Sequence, residues 1–470
     1  MEQATNRLRI ESASPARGRV IYVPAQWLKD QGIHAGEYRV SFGVKEVRAE
    51  VRFASKYRGR DGVAVVSQDL ARSLCLPNGV WLAFEQVGER HLRFGDLFAL
   101  LANVKANGEQ VKGQQAKVFR NLLQAAEELS MFGYVFAPQD IEWEEETAVG
   151  YYLGDNGLWQ KARLPLPDVV YDQIISRRFE KSAEVASARG RLKRLLPKRY
   201  FNPGYFDKWQ VHGWLAGDSR TRGYVPETIR FQALEETARF VYTHPEVYMK
   251  PMHGSLGVGI MRVRRLSDGR VFYQRKRSDG QLKQGYAGSI TQFLKTNARR
   301  LKRGGYLTQK ALHLQRWNGR PFDIRLLLQK DGTGKWQRTK SFCRVAQEGE
   351  ITSNLSTGGD AFAVKQVLKD ILQNERSVNQ VMKELRRISE DVPAVIEAAQ
   401  DGVIGELGLD LGLDEFGRIW VIEVNAKPWK KPNTEEGEWK NLALLAFQRP
   451  VMYAKHLCSM YRDRARRERS

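Results

Sequence analysis

Two carboxylates and an amide stand at regular spacing on two neighbouring runs near the C-terminal end of the sequence. Asp410 ends the run ELGLD, and Glu423 and Asn425 lie two residues apart in the run IWVIEVN. Side chains alternate between the faces of a strand, so Glu423 and Asn425 share one face. Buried carboxylates are costly unless a cation lies among them, and oxygen ligands without His or Cys select Mg²⁺ or Mn²⁺. The sequence therefore predicts a divalent metal site at Asp410, Glu423 and Asn425.

These runs read as a β-hairpin around a turn at 414–417. A regular pairing from that turn would place Asp410 opposite Val421 and Glu406 opposite Asn425, so that Glu406 joins the polar cluster. The alternative is the solvent-facing side of an ordinary antiparallel sheet, because that side also carries a polar residue at every second position.

A glycine-rich segment, KPMHGSLGVGI at 250–260, lies between two predicted strands. Glycine lets backbone N–H groups approach a phosphate without obstruction from a Cβ atom. The order G-x-x-G-x-G between strands differs from the Rossmann fingerprint, which opens a helix, and no Walker A motif occurs. Taken alone, the segment is better explained as an ordinary hairpin tip, which is where most glycine-rich loops occur. The candidate phosphate-binding residues are Gly254, Ser255, Gly257 and Gly259.

Basic and polar side chains near this segment favour phosphate binding. Lys250 lies on the strand before the glycines and Lys208 opens an earlier helix; each supplies a point charge for phosphate oxygens. Gln309 and Lys310 lie in an apolar strand, a layout suited to hydrogen bonding the edge of an adenine. Arg325 could clamp a γ-phosphate or an acyl-phosphate. For each of these residues the alternative is an ordinary surface position.

The composition predicts a globular cytosolic protein of two to four domains. The chain has 470 residues, and 76 Lys and Arg against 54 Asp and Glu give a net charge of +22. Such a field attracts polyanions, including nucleic acid, phosphorylated ligands and acidic polymers. The N-terminus lacks the apolar segment of a signal peptide, and no stretch approaches the roughly 18 apolar residues of a membrane span. We therefore expect a cytoplasmic protein that is not secreted.

The first 95 residues consist mainly of predicted strands and contain an internal repeat. Residues 20–38 resemble residues 63–81, and each copy reads as strand, short helix, glycine turn and strand. A doubled unit of this size predicts a small pseudo-twofold β-barrel over 1–95, similar to a double-psi barrel. Chance similarity between β-hairpins is the alternative.

Three further segments follow the barrel. A strand–helix–strand pattern predicts a small α/β domain over 96–204, with a helix at 116–133 that Gly133 ends and a basic linker at 187–204. Strands and helices mix over 205–456, which contains every candidate site residue. The segment 457–470 reads as a basic, helix-prone tail.

The order of these motifs over about 205–456 resembles the ATP-grasp superfamily. The order is a DK pair, a lysine strand with a glycine loop, a Gln-Lys strand, and D-x(12)-E-x-N. The segments FDKW, KPMHGSLGVGI, FDIRLLLQKDGTGKW and ELGLDLGLDEFGRIWVIEVNAKP are similar to the YheC/YheD family of endospore coat-associated proteins. FGDLFALLAN and PDVVYDQI also fit that family.

The resemblance implies an α+β chain with an ATP-grasp fold, in which ATP binds between two lobes. A pre-ATP-grasp α/β domain would precede this fold, with the small β-barrel-like domain at the N-terminus. Position by position, the resemblance implies phosphate contacts from Lys208 and Lys250, a lid made of His253, Gly254, Ser255, Gly257 and Gly259, adenine contacts from Gln309 and Lys310, and Mg²⁺ ligands at Asp410, Glu423 and Asn425.

The sequence departs from the superfamily pattern in two places. Many ATP-grasp ligases carry an arginine two residues before the first metal aspartate, where this chain has Gly408, and Arg325 is our candidate replacement. Small residues usually follow the metal asparagine. Here Lys427, Trp429 and Lys430 follow it, which predicts a reshaped acceptor site.

Three functions remain open from the sequence. The first is an ATP-dependent carboxylate–amine or carboxylate–thiol ligase of the endospore coat, which uses ATP with Mg²⁺ (or Mn²⁺), forms an acyl-phosphate, and has Lys250 and Arg325 as catalytic cations. The +22 charge would suit an acidic acceptor, such as a coat component. The second is a non-catalytic ATP-binding structural protein of the coat, which the missing arginine favours. The third is nucleic-acid binding through basic helices, which is least favoured because interleaved aromatics are lacking.

Overall fold

A closed seven-stranded barrel and three six-stranded sheets carry most of the chain. The structure is a computed structural model that describes residues 6–14, 17–54, 62–252, 258–277, 281–346, 360–430 and 437–467. Within these ranges no helix combines the length and the apolar character needed to cross a membrane.

The N-terminal domain is a closed seven-stranded barrel, as the sequence predicts. Its strands are β1 (Arg7–Ser14), β2 (Val20–Val23), β3 (Gly36–Phe42), β4 (Lys45–Phe53), β5 (Val63–Ser67), β6 (Val80–Gly88) and β7 (His91–Phe94), and its helices are α1 (Ala25–Asp30) and α2 (Gln68–Leu74). The order around the barrel is β1-β5-β2-β4-β3-β7-β6. Alternate residues of these strands point inward and form a buried apolar core.

The internal repeat becomes a pseudo-twofold arrangement of strands. The copies are β2–α1–β3 and β5–α2–β6, and their second strands begin beside Gly36 and Gly79, which both have positive φ. β1 pairs parallel with β5 and antiparallel with β6, and β4 pairs in the same way with β2 and β3. The pseudo-twofold barrel is confirmed, and the double-psi type stays a prediction.

The second sheet is mixed and contains buried parallel strands. Its elements are β8 (Asp96–Leu101), a small hairpin of β9 (Lys105–Asn107) and β10 (Gln110–Lys112), α3 (Ala116–Glu128), β11 (Met131–Glu142), β12 (Thr147–Leu153), β13 (Trp159–Pro165), β14 (Val169–Asp172), α4 (Arg177–Glu180), α5 (Ala183–Leu195) and β15 (Tyr200–Phe201). The sheet order is β13-β12-β11-β8-β14-β15. Continuous apolar runs such as β8 are typical of strands covered on both faces.

Two local predictions for this region were wrong. Helix α3 ends at Glu128, and Gly133 lies within β11, where a Cβ atom would come within 2.8 Å of Leu123. That glycine therefore allows close packing of α3 on the sheet. The predicted linker at 187–204 instead forms the end of α5 and the paired strand β15, because Ala188 and Leu192 of α5 and both residues of β15 are buried.

The remaining chain forms two lobes. The first lobe, residues 228–310, contains β16 (Thr228–Arg230), α7 (Leu234–Thr243), β17 (Glu246–Pro251), β18 (Met261–Arg265), β19 (Val271–Lys276), β20 (Leu282–Ala287), α8 (Ile290–Gly304) and β21 (Tyr306–Lys310), and is preceded by α6 (Lys208–Gly217) and a 3₁₀ turn (Arg222–Tyr224). Its antiparallel sheet has the order β16-β21-β17-β18-β19-β20, with α7 and α8 packed on one face.

The second lobe is built on another antiparallel sheet. It contains β22 (Arg316–Trp317), β23 (Arg320–Lys330), β24 (Trp336–Val345), β25 (Asp360–Phe362), α9 (Val364–Leu372), α10 (Glu375–Ala399), β26 (Glu406–Leu413), β27 (Ile419–Asn425) and α11 (Gly437–Arg467). The strand order is β25-β24-β23-β26-β27. Helix α11 includes 457–467 of the predicted tail and packs back on the second domain, where Cys458 is buried and Arg462 pairs with Asp96.

Candidate functional site

The hairpin that carries the predicted metal ligands contains a bulge. β26 and β27 place Asp410 directly opposite Glu423 and Gly408 opposite Asn425. The predicted pairing of Asp410 with Val421 was wrong, because one extra residue of β27 is inserted next to Asp410. The bulge brings the two carboxylates side by side, closer than the diagonal arrangement expected from a regular ladder.

Glu406 does not join this pair. Its Oε1 accepts from the Tyr171 hydroxyl at 2.7 Å and from Nζ of Lys430 at 2.6 Å, and its Oε2 accepts from Nε2 of Gln329 at 2.5 Å. The predicted pairing of Glu406 with Asn425 was wrong as well, because Asn425 lies opposite Gly408. Glu406 is fully buried under the second domain, which keeps it away from any ligand.

Arg325 occupies the space that Gly408 leaves open. On β23 it lies beside Asp410 in the ladder, and its guanidinium donates to the Asp410 carboxylate. A Cβ atom on Gly408 would lie 3.1 Å from Nη2 of Arg325 and 2.8 Å from Cβ of Pro428. Burial and the charge of Arg344 lower the pKa of Arg325 to about 10, so the side chain stays charged at neutral pH.

Arg344 is a candidate residue that the sequence analysis missed. It lies on β24 opposite Asp323, donates through Nε to Oδ1 of Asp323 at 2.9 Å, and places Nη2 at 3.0 Å from Oδ2 of Asp410. Asp410 is thus held between two guanidinium groups. The sequence signal for Arg344 was a basic residue beside the apolar residues of the segment KSFCRVA. Which groups this arginine contacts depends on strand pairing.

Two lysines approach the hairpin from other elements. Asp207 caps α6 by accepting from the N–H of Trp209 at 2.9 Å, which sets Lys208 at the first helical position. Nζ of Lys208 then donates to Oε1 of Glu423 at 2.9 Å. Burial and the nearby charge of Lys208 lower the pKa of Lys250 to about 8. An anion placed beside both lysines would relieve their mutual repulsion.

Gln309 and Lys310 point in different directions. Gln309 accepts from Nζ of Lys250 at 2.5 Å and donates to Oγ1 of Thr228 at 3.0 Å. Nζ of Lys310 lies 3.6 Å from Oε1 of Glu227, and this side chain is 45% exposed. Strand alternation therefore brings Gln309 to the site but not the side chain of Lys310.

Some of these residues line one cleft between the two lobes, whereas Asp410 and Arg325 are not among its lining residues. Its polar lining includes Lys208, Lys250, Gln309, Glu423 and Asn425, and its apolar lining includes Val225, Ile260, Leu307, Ile422 and Val424. Apolar walls with a few convergent polar groups are typical of a site for a small molecule or cofactor.

The glycine-rich segment is described only at its end. Gly259 has φ +81°, a conformation that favours glycine, and the Tyr306 hydroxyl donates to its carbonyl at 3.1 Å. The other predicted lid residues, His253, Gly254, Ser255 and Gly257, lie outside the described residues, and their roles stay predictions.

The donor set fits a metal that arrives with a phosphate ligand. Within the described ranges, no three His, Cys, Asp or Glu side chains gather into a metal cluster. Two carboxylates and one amide are too few for a resident ion, but Mg²⁺ often uses one or two carboxylates plus substrate phosphates. Burial opposes ionisation of Glu423, but the charges of Lys208, Lys250 and Arg325 outweigh this effect and lower its pKa.

The segment after the hairpin holds both of its lysines in internal pairs, and the prediction of a reshaped acceptor site stays a prediction. Nζ of Lys427 donates to the carbonyl of Asp172 at 2.9 Å and to its carboxylate, and Lys430 pairs with Glu406. Both lysine side chains are at most 3% exposed, so neither is available to an acceptor. Trp429 is half-exposed.

A family model described as "YheC/D like ATP-grasp" matches residues 198–457. The chain is 28% identical over 418 residues to "Endospore coat-associated protein YheD" of Bacillus subtilis (strain 168), covering 87% of each sequence. It is 27% identical over 297 residues to "Endospore coat-associated protein YheC" of the same organism, covering 63% of this chain and 80% of that protein.

Solved structures are also similar to this chain. One is the D-alanine-D-alanine ligase from Coxiella burnetii, with a TM-score of 0.43 and 13% identity. The match covers 80% of this chain and 97% of the ligase.

Proposed function

This chain belongs to the YheC/D-like ATP-grasp family, as its sequence motifs predict, and from that premise we propose that it binds Mg-ATP in the cleft and activates a carboxylate. One observation carries the proposal. Side chains suited to binding a nucleobase, phosphates and a metal ion reach a single cleft from α6, β17, β21 and β27.

The binding roles follow from the chemistry of each side chain. Gln309 would hydrogen bond the edge of the adenine, which the apolar walls would hold. Lys208 and Lys250 would neutralise phosphate oxygens. Asp410, Glu423 and Asn425 would hold a Mg²⁺ ion carried by the nucleotide, which would offset charge on the phosphates.

The proposed reaction is ligation through an acyl-phosphate. A substrate carboxylate oxygen attacks the γ-phosphorus, the bond to the β-phosphate oxygen breaks, and ADP leaves. An amine or thiol then attacks the acyl carbon, and inorganic phosphate leaves. Lys250 and Arg325 would stabilise the charge on the transferring group. Many ATP-grasp ligases carry an arginine where this chain has Gly408. Arg325 supplies a guanidinium in the space over Gly408, and this position supports turnover.

A second candidate function is ATP binding without turnover. The observation in its favour is that both oxygens of Asp410 already face arginine nitrogens, so its charge is balanced within the protein. The names of the two relatives support a place in the endospore coat for either function. Acidic coat components would suit the +22 charge of the chain.

Calorimetric titration with Mg-ATP tests the binding proposal. Asp410→Ala and Glu423→Ala should weaken binding by about tenfold or more, because each removes an ionised ligand. Glu415→Ala is the matched control, since Glu415 is an exposed carboxylate in the turn of the same hairpin. Unchanged affinity in both cleft variants would overturn the site. ADP release on adding candidate acceptors would separate ligation from binding without turnover.

A further inference from the structure

More than half of the net charge of the chain lies in the first lobe. Residues 228–310 contain 17 Lys and Arg against five Asp and Glu, which gives +12 out of +22. Only some of this charge serves the cleft, because Lys250 is the lobe's one cation among the cleft-lining residues described. The rest needs another explanation or is ordinary solvated surface.

The sheet of this lobe has two different faces. Val247 and Val263 pair with each other and point toward α7 and α8, where they are buried. Strand alternation places Lys250 and Arg264 on the opposite face. This face therefore begins at the cleft and continues across β18, β19 and β20.

The outer strands of this face carry stacked arginine and aromatic side chains. The guanidinium of Arg264 lies 5.6 Å from the ring centroid of Phe272, that of Arg270 lies 5.8 Å from the ring of Tyr286, and the two rings are 5.2 Å apart. Tyr286 is 64% exposed. Arg270 pairs with Asp268, whereas no described carboxylate lies within ion-pair distance of Arg264. We name these four side chains, Arg264, Arg270, Phe272 and Tyr286, the basic–aromatic face.

We propose that the basic–aromatic face docks an acidic polypeptide that carries the carboxylate activated in the cleft. This inference rests on the proposed function, because it names the class of substrate for that site. A guanidinium group binds a carboxylate through two parallel hydrogen bonds, and stacking on an aromatic ring restricts the orientation of the guanidinium. Exposed aromatic surface within a basic patch is typical of an interface.

The stacking favours a polypeptide over a nucleic acid. Bases bind single-strand readers by lying on open aromatic rings. Here one side of Phe272 and one side of Tyr286 are covered by arginine, and the two rings also contact each other. The face therefore offers forked cations more readily than open stacking platforms.

Fluorescence anisotropy with labelled poly-L-glutamate tests the proposal on the full chain. The double variant Arg264→Glu/Arg270→Glu should weaken binding about tenfold or more, because it reverses the charge at both positions. The control is Arg299→Glu/Arg303→Glu on the exposed side of α8, which makes the same change in net charge on the other side of the sheet. The control should change affinity by less than about threefold, as expected of screened surface charges. The milder pair Arg264→Gln/Arg270→Gln repeats the comparison with less perturbation of folding.

The outcomes separate this proposal from the proposed function. Equal losses in the two double variants, no binding of poly-L-glutamate, or tighter binding of oligo-dT than of poly-L-glutamate would each overturn the docking surface. Mg-ATP titration of the same samples should show unchanged affinity in every variant. A chain that binds Mg-ATP but not the polymer refutes docking alone, and a chain that fails to bind Mg-ATP refutes the proposed function.

Discussion

Glu406 and Asp410 lie four residues apart on one face of one strand, yet their surroundings differ. Glu406 is fully buried and has three permanent partners, from Lys430, Tyr171 and Gln329. Asp410 lies between two arginines beside the cleft, and 14% of its side chain is exposed. The same carboxylate group is fully buried in a structural ion pair at Glu406 and is partly exposed between two arginines at Asp410.

The difference comes from the second domain. Asn202, just after β15, donates through Nδ2 to the backbone carbonyls of Glu406 and Ala426, and Tyr171 of β14 contacts the Glu406 side chain. Lys427 anchors the same end through Asp172. The second domain thus covers Glu406 on β26, while Glu423 and Asn425 on β27 line the cleft. A polar group becomes a ligand site only where packing leaves room for a ligand.

Removing the Glu406 carboxylate under the second domain should give the largest effect on stability. Glu406→Ala leaves Lys430 buried without its partner, and the expected loss is about 3–5 kcal/mol in the free energy of unfolding. Urea denaturation measures this loss. Mg-ATP affinity of the folded fraction should change little. A wild-type denaturation midpoint would contradict the structural role, and the double variant Glu406→Leu/Lys430→Met should recover part of the loss.

Removing the Arg325 side chain beside Asp410 should affect the rate of the reaction more than the stability of the fold. Arg325→Ala should lower the rate of ADP formation about 10²–10³-fold, as expected when one group that stabilises transferring charge is lost. The urea midpoint should change less than in Glu406→Ala. Single-turnover ADP release provides the measurement, and Arg316→Ala is the exposed control. Equal rates in the two variants would show that Arg325 does not replace the arginine missing at 408.

The pH dependence of Mg-ATP affinity tests the role of Lys250 in the cleft. Lys250, with a pKa of about 8, loses its proton above pH 8 in the free protein, whereas bound phosphate favours the charged form. Binding then requires proton uptake, so Mg-ATP affinity should fall about tenfold between pH 8 and pH 9.5. Calorimetry across this range checks the slope. Lys250→Met should bind more weakly and lack the slope, and a slope retained in that variant would assign it to another group.

The smallest effect is expected at Lys310. Its side chain pairs with Glu227 away from the cleft, so Lys310→Ala should change Mg-ATP affinity by less than about twofold. Gln309→Ala should weaken binding by about tenfold, because a buried hydrogen bond to the base would be lost. Side-by-side titrations of the two variants decide the point. A larger loss from Lys310→Ala would mean that the base lies nearer Lys310.

Local patterns in the sequence anticipated most elements that form the cleft. The helix opened by Lys208, the strands that carry Lys250 and Gln309, and the turn of the β26–β27 hairpin were all predicted, because each depends on residues close in sequence. The bulge in β27 was not predicted, since it depends on how β27 pairs with β26. Arg344 was missed because its partners lie on two other strands.

The sequence by itself determined the family, the strand faces and the residue types able to bind a nucleotide. Only the tertiary structure decided that Glu406 and Lys430 neutralise each other under the second domain, that Arg325 fills the space over Gly408, and that Lys310 lies outside the cleft. The reason is physical: a strand's alternation is set by its own backbone, whereas burial and pairing are set by whatever other segment packs against it.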